Sequence, residues 1–373
     1  MIYLDNASTT HKKPGSVIKS VKKGTSKLSV NASRGGYSLS IKGGMEILNT
    51  RELLAKHFNC NTENVIFTGS CTGAINLALR GTIKPNGHIV STTMEHNSVL
   101  RTLQDLKEKH NIDYTLVSPT NGIINPQDIE KAITSKTYLV ATIHTSNVTG
   151  ATNDITSIGK ICKKHKLIYM VDGAQSAGHI RVDMKKQNVN LFSVAGHKGF
   201  YGPQGIGVLL INNVNVSPQI TGGTGTFSES ITQPTTPPEG LESGTLSMPC
   251  ILGLKAGVTY VEKNFDKINN KIKKLTTLLF NYLKNNEKIK LFSFNPSSGV
   301  MSFNIIGYSS SEIGDYLNNK YNICVRTGLH CAPLIHQTNG TMSTGMIRVS
   351  ISSFNKLREI KKLIKAIDEF KVD

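Results

Sequence analysis

The chain has 373 residues, with 43 Lys and Arg against 25 Asp and Glu for a formal charge of +18, and 38% hydrophobic residues with 33 Gly and 12 Pro. That length and apolar content support a sizeable core and more than one domain, and exclude a collagen-like, disordered or small disulfide-stapled chain. No apolar run approaches the ~20 residues of a membrane span, Met1–Asn6 lacks the charged head and apolar core of a secretory signal, and the six cysteines include no Cys-x-x-Cys pair, so a reducing cytoplasm and no membrane partner are expected.

Val65–Thr68 is a short apolar strand ending in Gly69, and a helical pattern follows through Ala74–Leu79. Strands are then predicted over His88–Met94, Tyr114–Val117, Tyr138–His144 and Leu167–Val171. They alternate with helices over Ser98–Lys109, Pro126–Ile133 and Ile155–His165. Leu191–Val194 and Ile206–Ile211 add two more strands. Strands this apolar, alternating with helices, predict a mostly parallel sheet covered on both faces. Asn212–Pro249 is rich in Gly, Pro, Ser and Thr and has no periodicity; such a stretch is usually functional or lies at a subunit contact. Helices over Cys250–Phe265 and Ile268–Lys284 come next. Strands near Leu291–Phe294, Val300–Ile306 and Ile347–Ile351 and a helix over Lys356–Phe370 then form a smaller α+β unit.

The +18 charge also fits a nucleic-acid-binding chain. The excess is spread along the chain, however, and the lysines of Lys263–Lys274 and Lys356–Lys365 interleave with apolar residues as on solvated helix faces.

Four segments carry chemistry. In Ala195-Gly196-His197-Lys198-Gly199 a lysine follows a strand and is bracketed by glycines. Such a lysine can lose hydration and act as an amine nucleophile; taken singly it also reads as a surface lysine in a turn. In Val171-Asp172-Gly173-Ala174-Gln175 an aspartate ends an apolar strand, where open α/β sheets bind ligands. It can pair with a pyridinium nitrogen or cap a helix. Gly69-Ser70-Cys71-Thr72-Gly73 joins a strand to a helix N-terminus, a phosphate site or an ordinary cap by Thr72. It lacks a nucleotide-loop lysine and a Gly-x-Gly-x-x-Gly. In Arg326-Thr327-Gly328-Leu329-His330-Cys331-Ala332-Pro333 a cysteine stands in a Gly/Pro-bounded loop beside a histidine, and Arg348 downstream is able to clamp a carboxylate. His330, Cys331 and His336 lack the further ligands a metal needs, so no metal is expected.

These segments, with Tyr3-Leu4-Asp5-Asn6-Ala7, Met94-Glu95-His96-Asn97, Ser146-Asn147-Val148-Thr149-Gly150 and Glu242-Ser243-Gly244-Thr245, resemble the cysteine desulfurases and selenocysteine lyases, pyridoxal-phosphate enzymes of the class-V aminotransferase, fold-type I group. The resemblance runs from Tyr3 to the last helix. It implies a large α/β domain over residues 11–258 with a mostly parallel seven-stranded sheet flanked by helices, and a small α+β domain built from residues 1–10 and 259–373.

It also implies roles. Lys198 holds pyridoxal 5′-phosphate covalently and shuttles the substrate Cα proton. Asp172 pairs with the ring nitrogen, Gln175 bonds the ring oxygen, and His96 stacks on the ring and assists proton transfer as a catalytic residue. Cys71, Thr72 and His197 hold the phosphate. Thr245 reaches the phosphate of the neighbouring subunit, hence a homodimer with composite sites. Arg348 and Asn147 bind the substrate carboxylate, Arg326 lines the mouth, and Cys331 is the nucleophile. The implied reaction converts L-cysteine to L-alanine, with the sulfur caught as a persulfide for an acceptor protein.

Two positions depart from the family pattern. Ala195 stands where many relatives have a hydroxyl that helps hold the phosphate, a role for which Ser70, Cys71 or a water is a candidate substitute. Ser33 stands where partner-dependent relatives often carry His. A selenocysteine lyase acting on L-selenocysteine is the alternative, and a non-catalytic nucleic-acid-binding or scaffold protein is the distant one. The acceptor stays open among iron–sulfur assembly, tRNA thiolation, molybdenum-cofactor sulfuration and selenium supply.

Overall fold

The computed structural model describes residues 1–32, 35–295 and 298–370; Ser33 lies outside the described residues. In the first half run β1 (Ile2–Tyr3), α1 (Gly15–Thr25), α2 (Ser38–Phe58), β2 (Val65–Thr68), α3 (Cys71–Gly81), β3 (His88–Thr92), α4 (Asn97–His110) and β4 (Asp113–Val117). Next come α5 (Pro126–Lys131), β5 (Thr137–Ile143), α6 (Ile155–Lys164), β6 (Ile168–Asp172), β7 (Leu191–Ala195) and β8 (Gly207–Ile211). The remainder holds α7 (Met248–Lys284), β9 (Ile289–Leu291), β10 (Val300–Ile305), α8 (Ser310–Tyr321), β11 (Ile323–Cys324), α9 (Pro333–Thr338), β12 (Ile347–Ser350) and α10 (Leu357–Asp368).

The main sheet has seven strands in the order β2-β8-β7-β6-β5-β3-β4. Its pairings are parallel except those of β8, which runs antiparallel to β2 and β7. Strands β3, β5, β7 and β8 are buried at every residue, which is why they read as unbroken apolar runs. Alternate residues feed different cores. Val65 and Phe67 join Leu54 and Phe58 of α2 and Ile158 of α6, while Ile66 joins Ala74 and Ala78 of α3 and Val99 and Leu103 of α4. The period of two along a strand puts helices on both faces.

A three-stranded antiparallel sheet, β12-β10-β9, and the parallel pair β1-β11 form the second part. Their core joins Leu4 to Leu275, Leu279 and Leu283 of α7, Ile313 and Leu317 of α8, and Ile360 and Leu363 of α10.

Three local differences separate sequence and structure. The two helices expected over Cys250–Phe265 and Ile268–Lys284 form one run, broken at Asn264, where φ is −127°. The expected strand Leu291–Phe294 is shifted to Ile289–Leu291, because those residues pair with Phe303–Ile305 while Phe294 turns out to solvent. Helices α1, α2, α8 and α9 carry no expectation from the sequence.

The end of the irregular 212–249 stretch is fastened by charge. Glu242 forms a buried ion pair with Arg51 of α2, whose guanidinium also donates to the Val65 carbonyl, and accepts from the Phe67 amide of β2. Among the described residues no helix is long and apolar enough to cross a membrane.

Candidate active site

Strands β6 and β7 lie side by side and parallel, so their carboxyl ends open on the same edge of the sheet. Asp172 is the last residue of β6; Lys198 follows β7 by three residues. The turn after β7 closes on itself, with the Gly202 amide donating to Gly196 (2.8 Å) and the Tyr201 amide to Lys198 (2.9 Å). It packs against the turn after β6 so closely that a Cβ on Gly199 would lie 2.1 Å from the Ala177 carbonyl oxygen. This approach is what the glycines beside Lys198 permit.

Burial pushes the Lys198 ammonium pKa below its ordinary value; Cys71 and Asp172 oppose that shift, and Arg348 and Arg326 add to it. Asp172, Lys198, Arg326 and Arg348 also act on His96, where burial again dominates and lowers the pKa. The structure therefore brings Lys198, Asp172, Cys71, His96, Arg326 and Arg348 into one electrostatic neighbourhood. Among the described residues no cluster of His, Cys, Asp and Glu is arranged to hold a metal.

Asp172 is 2% exposed. Its Oδ1 accepts from the Ala174 amide (2.9 Å), the Ser193 hydroxyl (3.5 Å) and the Cys71 thiol (3.9 Å). It therefore caps a turn; no helix begins there. No Lys, Arg or His among the described residues forms an ion pair with it. A buried carboxylate in that position calls for a cation. Gln175 is fixed by donation from Nε2 to the Ala7 carbonyl (3.0 Å). His96 caps α4 by accepting the Ser98 amide at Nδ1 (3.0 Å).

The Gly69–Thr72 turn is tucked under β8. A Cβ on Gly207 would lie 2.2 Å from the Ser70 carbonyl carbon. The cap of α3 is Ser70, which accepts the Gly73 amide (3.1 Å), so the expected cap by Thr72 is not the one used. Thr72 is exposed, and the first-turn amides have no intrahelical acceptor, which leaves the turn open to an anion. Burial drives the Cys71 thiol well above its usual pKa, with Asp172 adding to the effect. Cys71 points to Asp172, so of the two side-chain substitutes for the missing hydroxyl at Ala195 the Ser70 O–H is the one left to donate. His197 Nδ1 is buried without a partner. Its carbonyl is held by Thr10 Oγ1 and Lys13 Nζ, each at 3.0 Å. Thr245 is exposed and lines, with Gly69, Gly73 and Leu77, a surface cavity of about 410 Å³.

The opposite wall comes from the C-terminal part. Arg348 of β12 is 2% exposed; its Nη1 donates to the Asn147 carbonyl (3.0 Å) and its Nη2 to Asp5 (2.7 Å) and Ser8 (2.8 Å). Its Nε, like Asn147 Oδ1, is buried without a partner. Arg326 donates from Nη1 to Ser8 Oγ (2.8 Å), and its Nη2 lies 4.0 Å from Cys331 Sγ.

Cys331 is exposed. The loop beneath it is clamped: its carbonyl accepts the Asn97 amide (2.7 Å), and the His330 carbonyl accepts Asn147 Nδ2 (2.8 Å). Gly328, His330 and Cys331 all have positive φ, at 94°, 51° and 57°. Backbone fixed and thiol free is an arrangement suited to a nucleophile.

Four residues of this group had no role read for them from the sequence. Asp5 and Glu95 lie inside motifs already noted. Ser8 and Lys13 gave no signal. Burial raises the Glu95 pKa to about 8; its Oε1 accepts from Thr92 Oγ1 and the Ile143 amide, and its Oε2 has no partner.

Burial lowers the pKa values of His144 and His336 to about 4 and that of His330 to about 2. All three stay neutral in the folded chain, whereas the unfolded chain binds their protons near pH ~6.5. The unfolded state thus binds more protons below that pH, and stability falls as pH drops from ~6.5 towards 4. Each contributes on the order of 2 kcal/mol of the loss by pH ~5. His197, lowered by burial to about 4, adds to this loss, whereas Glu95 and Glu242, whose pKa values burial raises, work in the opposite sense. Melting temperatures measured at pH 7.5 and at pH 5 are expected to show a marked drop at the lower pH; an unchanged value would contradict neutral, buried histidines.

The family model of the class-V aminotransferases matches residues 2–363. The chain belongs to that family. A "probable cysteine desulfurase" of Pyrococcus abyssi is 31% identical, over 99% of this chain and 94% of the relative. One from Borreliella burgdorferi is 31% identical over 98% and 90%. The apo structure of a cysteine desulfurase from Thermococcus onnurineus NA1 superposes with a TM-score of 0.92 at 31% identity, covering 99% of this chain and 94% of that one.

Proposed function

We propose that the protein is a pyridoxal-phosphate-dependent cysteine desulfurase that moves sulfur from L-cysteine to Cys331 Sγ. The observation that carries this reading is the convergence of a half-buried lysine, a buried aspartate without an ion-pair partner and an exposed cysteine on a clamped loop. The residues fit the cofactor. Asp172 has the charge its ring nitrogen requires, the Gly69–Thr72 turn and the unpartnered His197 Nδ1 suit its phosphate, and Lys198 is buried enough to be an amine nucleophile. When bound, the cofactor supplies an electron sink that makes the substrate Cα–H acidic and weakens the Cβ–S bond.

The chain's own groups do the rest. Asp172 would pair with the cofactor's ring nitrogen, Gln175 would bond its ring oxygen and His96 would stack on the ring. Cys71, Thr72 and His197 would hold its phosphate, with Thr245 supplied across a homodimer. Arg348 binds the substrate carboxylate at its unpartnered Nε–H, and Asn147 binds it through the second Nδ2 hydrogen, the first being held by the His330 carbonyl. Lys198 Nζ takes the Cα proton and returns it. The Cys331 thiolate attacks the substrate sulfur: an S–S bond forms, the Cβ–S bond breaks, and its electron pair stays with the substrate, which takes a proton and leaves as L-alanine. Arg326 Nη2 lies beside the Cys331 sulfur. Residues 11–258 form the large domain, residues 1–10 and 259–373 the small one, and the enzyme works in the cytoplasm with a sulfur-acceptor protein.

Incubation with L-cysteine without reductant, followed by peptide mass mapping, is expected to show about +32 Da, one sulfur atom, on the Cys331 peptide. The same mass on a different cysteine would overturn the choice of nucleophile.

A further inference from the structure

Arg348 has five donor hydrogens in a fixed fork, and this structure engages three of them. Nη1 holds the Asn147 carbonyl, while Nη2 spends both hydrogens on Asp5 Oδ1 (2.7 Å) and Ser8 Oγ (2.8 Å). Two hydrogens are left over, Nε–H, whose nitrogen has no partner, and the second hydrogen of Nη1. In a guanidinium, Nε–H shares its open edge with Nη2, so a carboxylate that takes this edge with both oxygens needs an Nη2 hydrogen as well. That hydrogen is already held.

Asp5 is a carboxylate from the far end of the chain. It follows β1, which pairs with β11, and it bridges to Ser350 of β12, so its backbone is fixed beside Arg348. Its Oδ1 also accepts the Ser8 hydroxyl (2.8 Å). It therefore stands on Arg348 as an amino-acid carboxylate would, one charge-assisted contact backed by a hydroxyl.

We propose that Asp5 is a resident competitor for the substrate carboxylate. It neutralises Arg348 in the free enzyme and yields Nη2 when an amino acid binds. Two consequences follow. The buried guanidinium is never left without a counter-charge, which would be costly. A ligand that brings no carboxylate has nothing with which to displace Asp5, so Asp5 contributes to selection for α-amino acids over simple amines. This inference rests on the desulfurase reading, which places the substrate carboxylate at Arg348.

Asp5→Asn keeps the size and the backbone bonds and removes the charge. The test titrates the holoenzyme, unsubstituted and Asp5→Asn, with L-alanine and with cysteamine, which has amine and thiol but no carboxylate. Binding is followed by the cofactor's absorbance and by calorimetry. The expected result is L-alanine binding about tenfold tighter in Asp5→Asn, with cysteamine unchanged. Weaker or equal L-alanine binding, or an equal gain for cysteamine, would overturn the proposal and make Asp5 a positioning residue for Arg348. If the unsubstituted holoenzyme binds no L-alanine and does not turn over L-cysteine, the desulfurase reading itself fails, a distinct outcome. Thermal melting of Asp5→Asn checks that the fold is retained.

Discussion

Cys331→Ala is expected to eliminate persulfide formation and to lower L-cysteine turnover at least ~10³-fold, about 4 kcal/mol of barrier. The step has no substitute nucleophile nearby. Cys71, the other thiol of the site, is driven far towards its protonated form by burial and by Asp172. A thiol held in that form is a poor nucleophile. The substitution costs little else. Cys331 is exposed, so no cavity opens. Its φ of 57° burdens Ala as it burdens Cys, because both carry a Cβ. The loop is held through backbone atoms, by Asn97 and Asn147, and these contacts survive. The variant should therefore melt like the unsubstituted protein and keep its bound cofactor's absorbance. Sulfide and alanine released from L-cysteine at an unchanged rate would show that the sulfur leaves by another route.

The main sheet was legible in the sequence for a physical reason. Strands β3, β5, β7 and β8 are buried on both faces, so they stand out as uninterrupted apolar runs between helical patterns. Helix α2 was not legible: Leu39, Ile41, Met45 and Leu48 are exposed on it, next to the buried Ile47 and Leu54, and the apolar stripe is blurred. The two-residue strand β1 is too short to carry a period. At the site, Lys198 and Asp172 were marked by glycines and by strand ends, which are local signals. Ser70, not Thr72, caps α3, a choice set by the extended backbone at Ser70, with φ at −168°. The pairing of Asp5 with Arg348 joins positions 343 apart in the chain and needs β1, β11 and β12 in place before it exists. Neither the raised pKa of Glu95 nor the anchoring of His197 by Lys13 has a local signature, since both come from burial by distant segments.

Lys198→Ala should be the most severe change of all, lowering turnover at least ~10⁴-fold, because it removes at once the amine that fastens the cofactor and the base that moves the Cα proton. Folding gives an opposite expectation. Burial dominates the environment of Lys198 and lowers its pKa, so the unfolded chain binds that proton more tightly than the folded one and the charge costs stability at neutral pH. Cofactor-free Lys198→Ala should thus melt no lower than the cofactor-free unsubstituted protein. Activity and stability part company at this residue, as they do where a strained group is kept for chemistry. Since the deletion leaves room for a small amine, ethylamine added to Lys198→Ala is expected to restore part of the proton transfer, with a dependence on the concentration of free amine. Full turnover of Lys198→Ala without added amine would remove Lys198 from the mechanism. A large fall in melting temperature would show instead that the lysine is there to hold the fold.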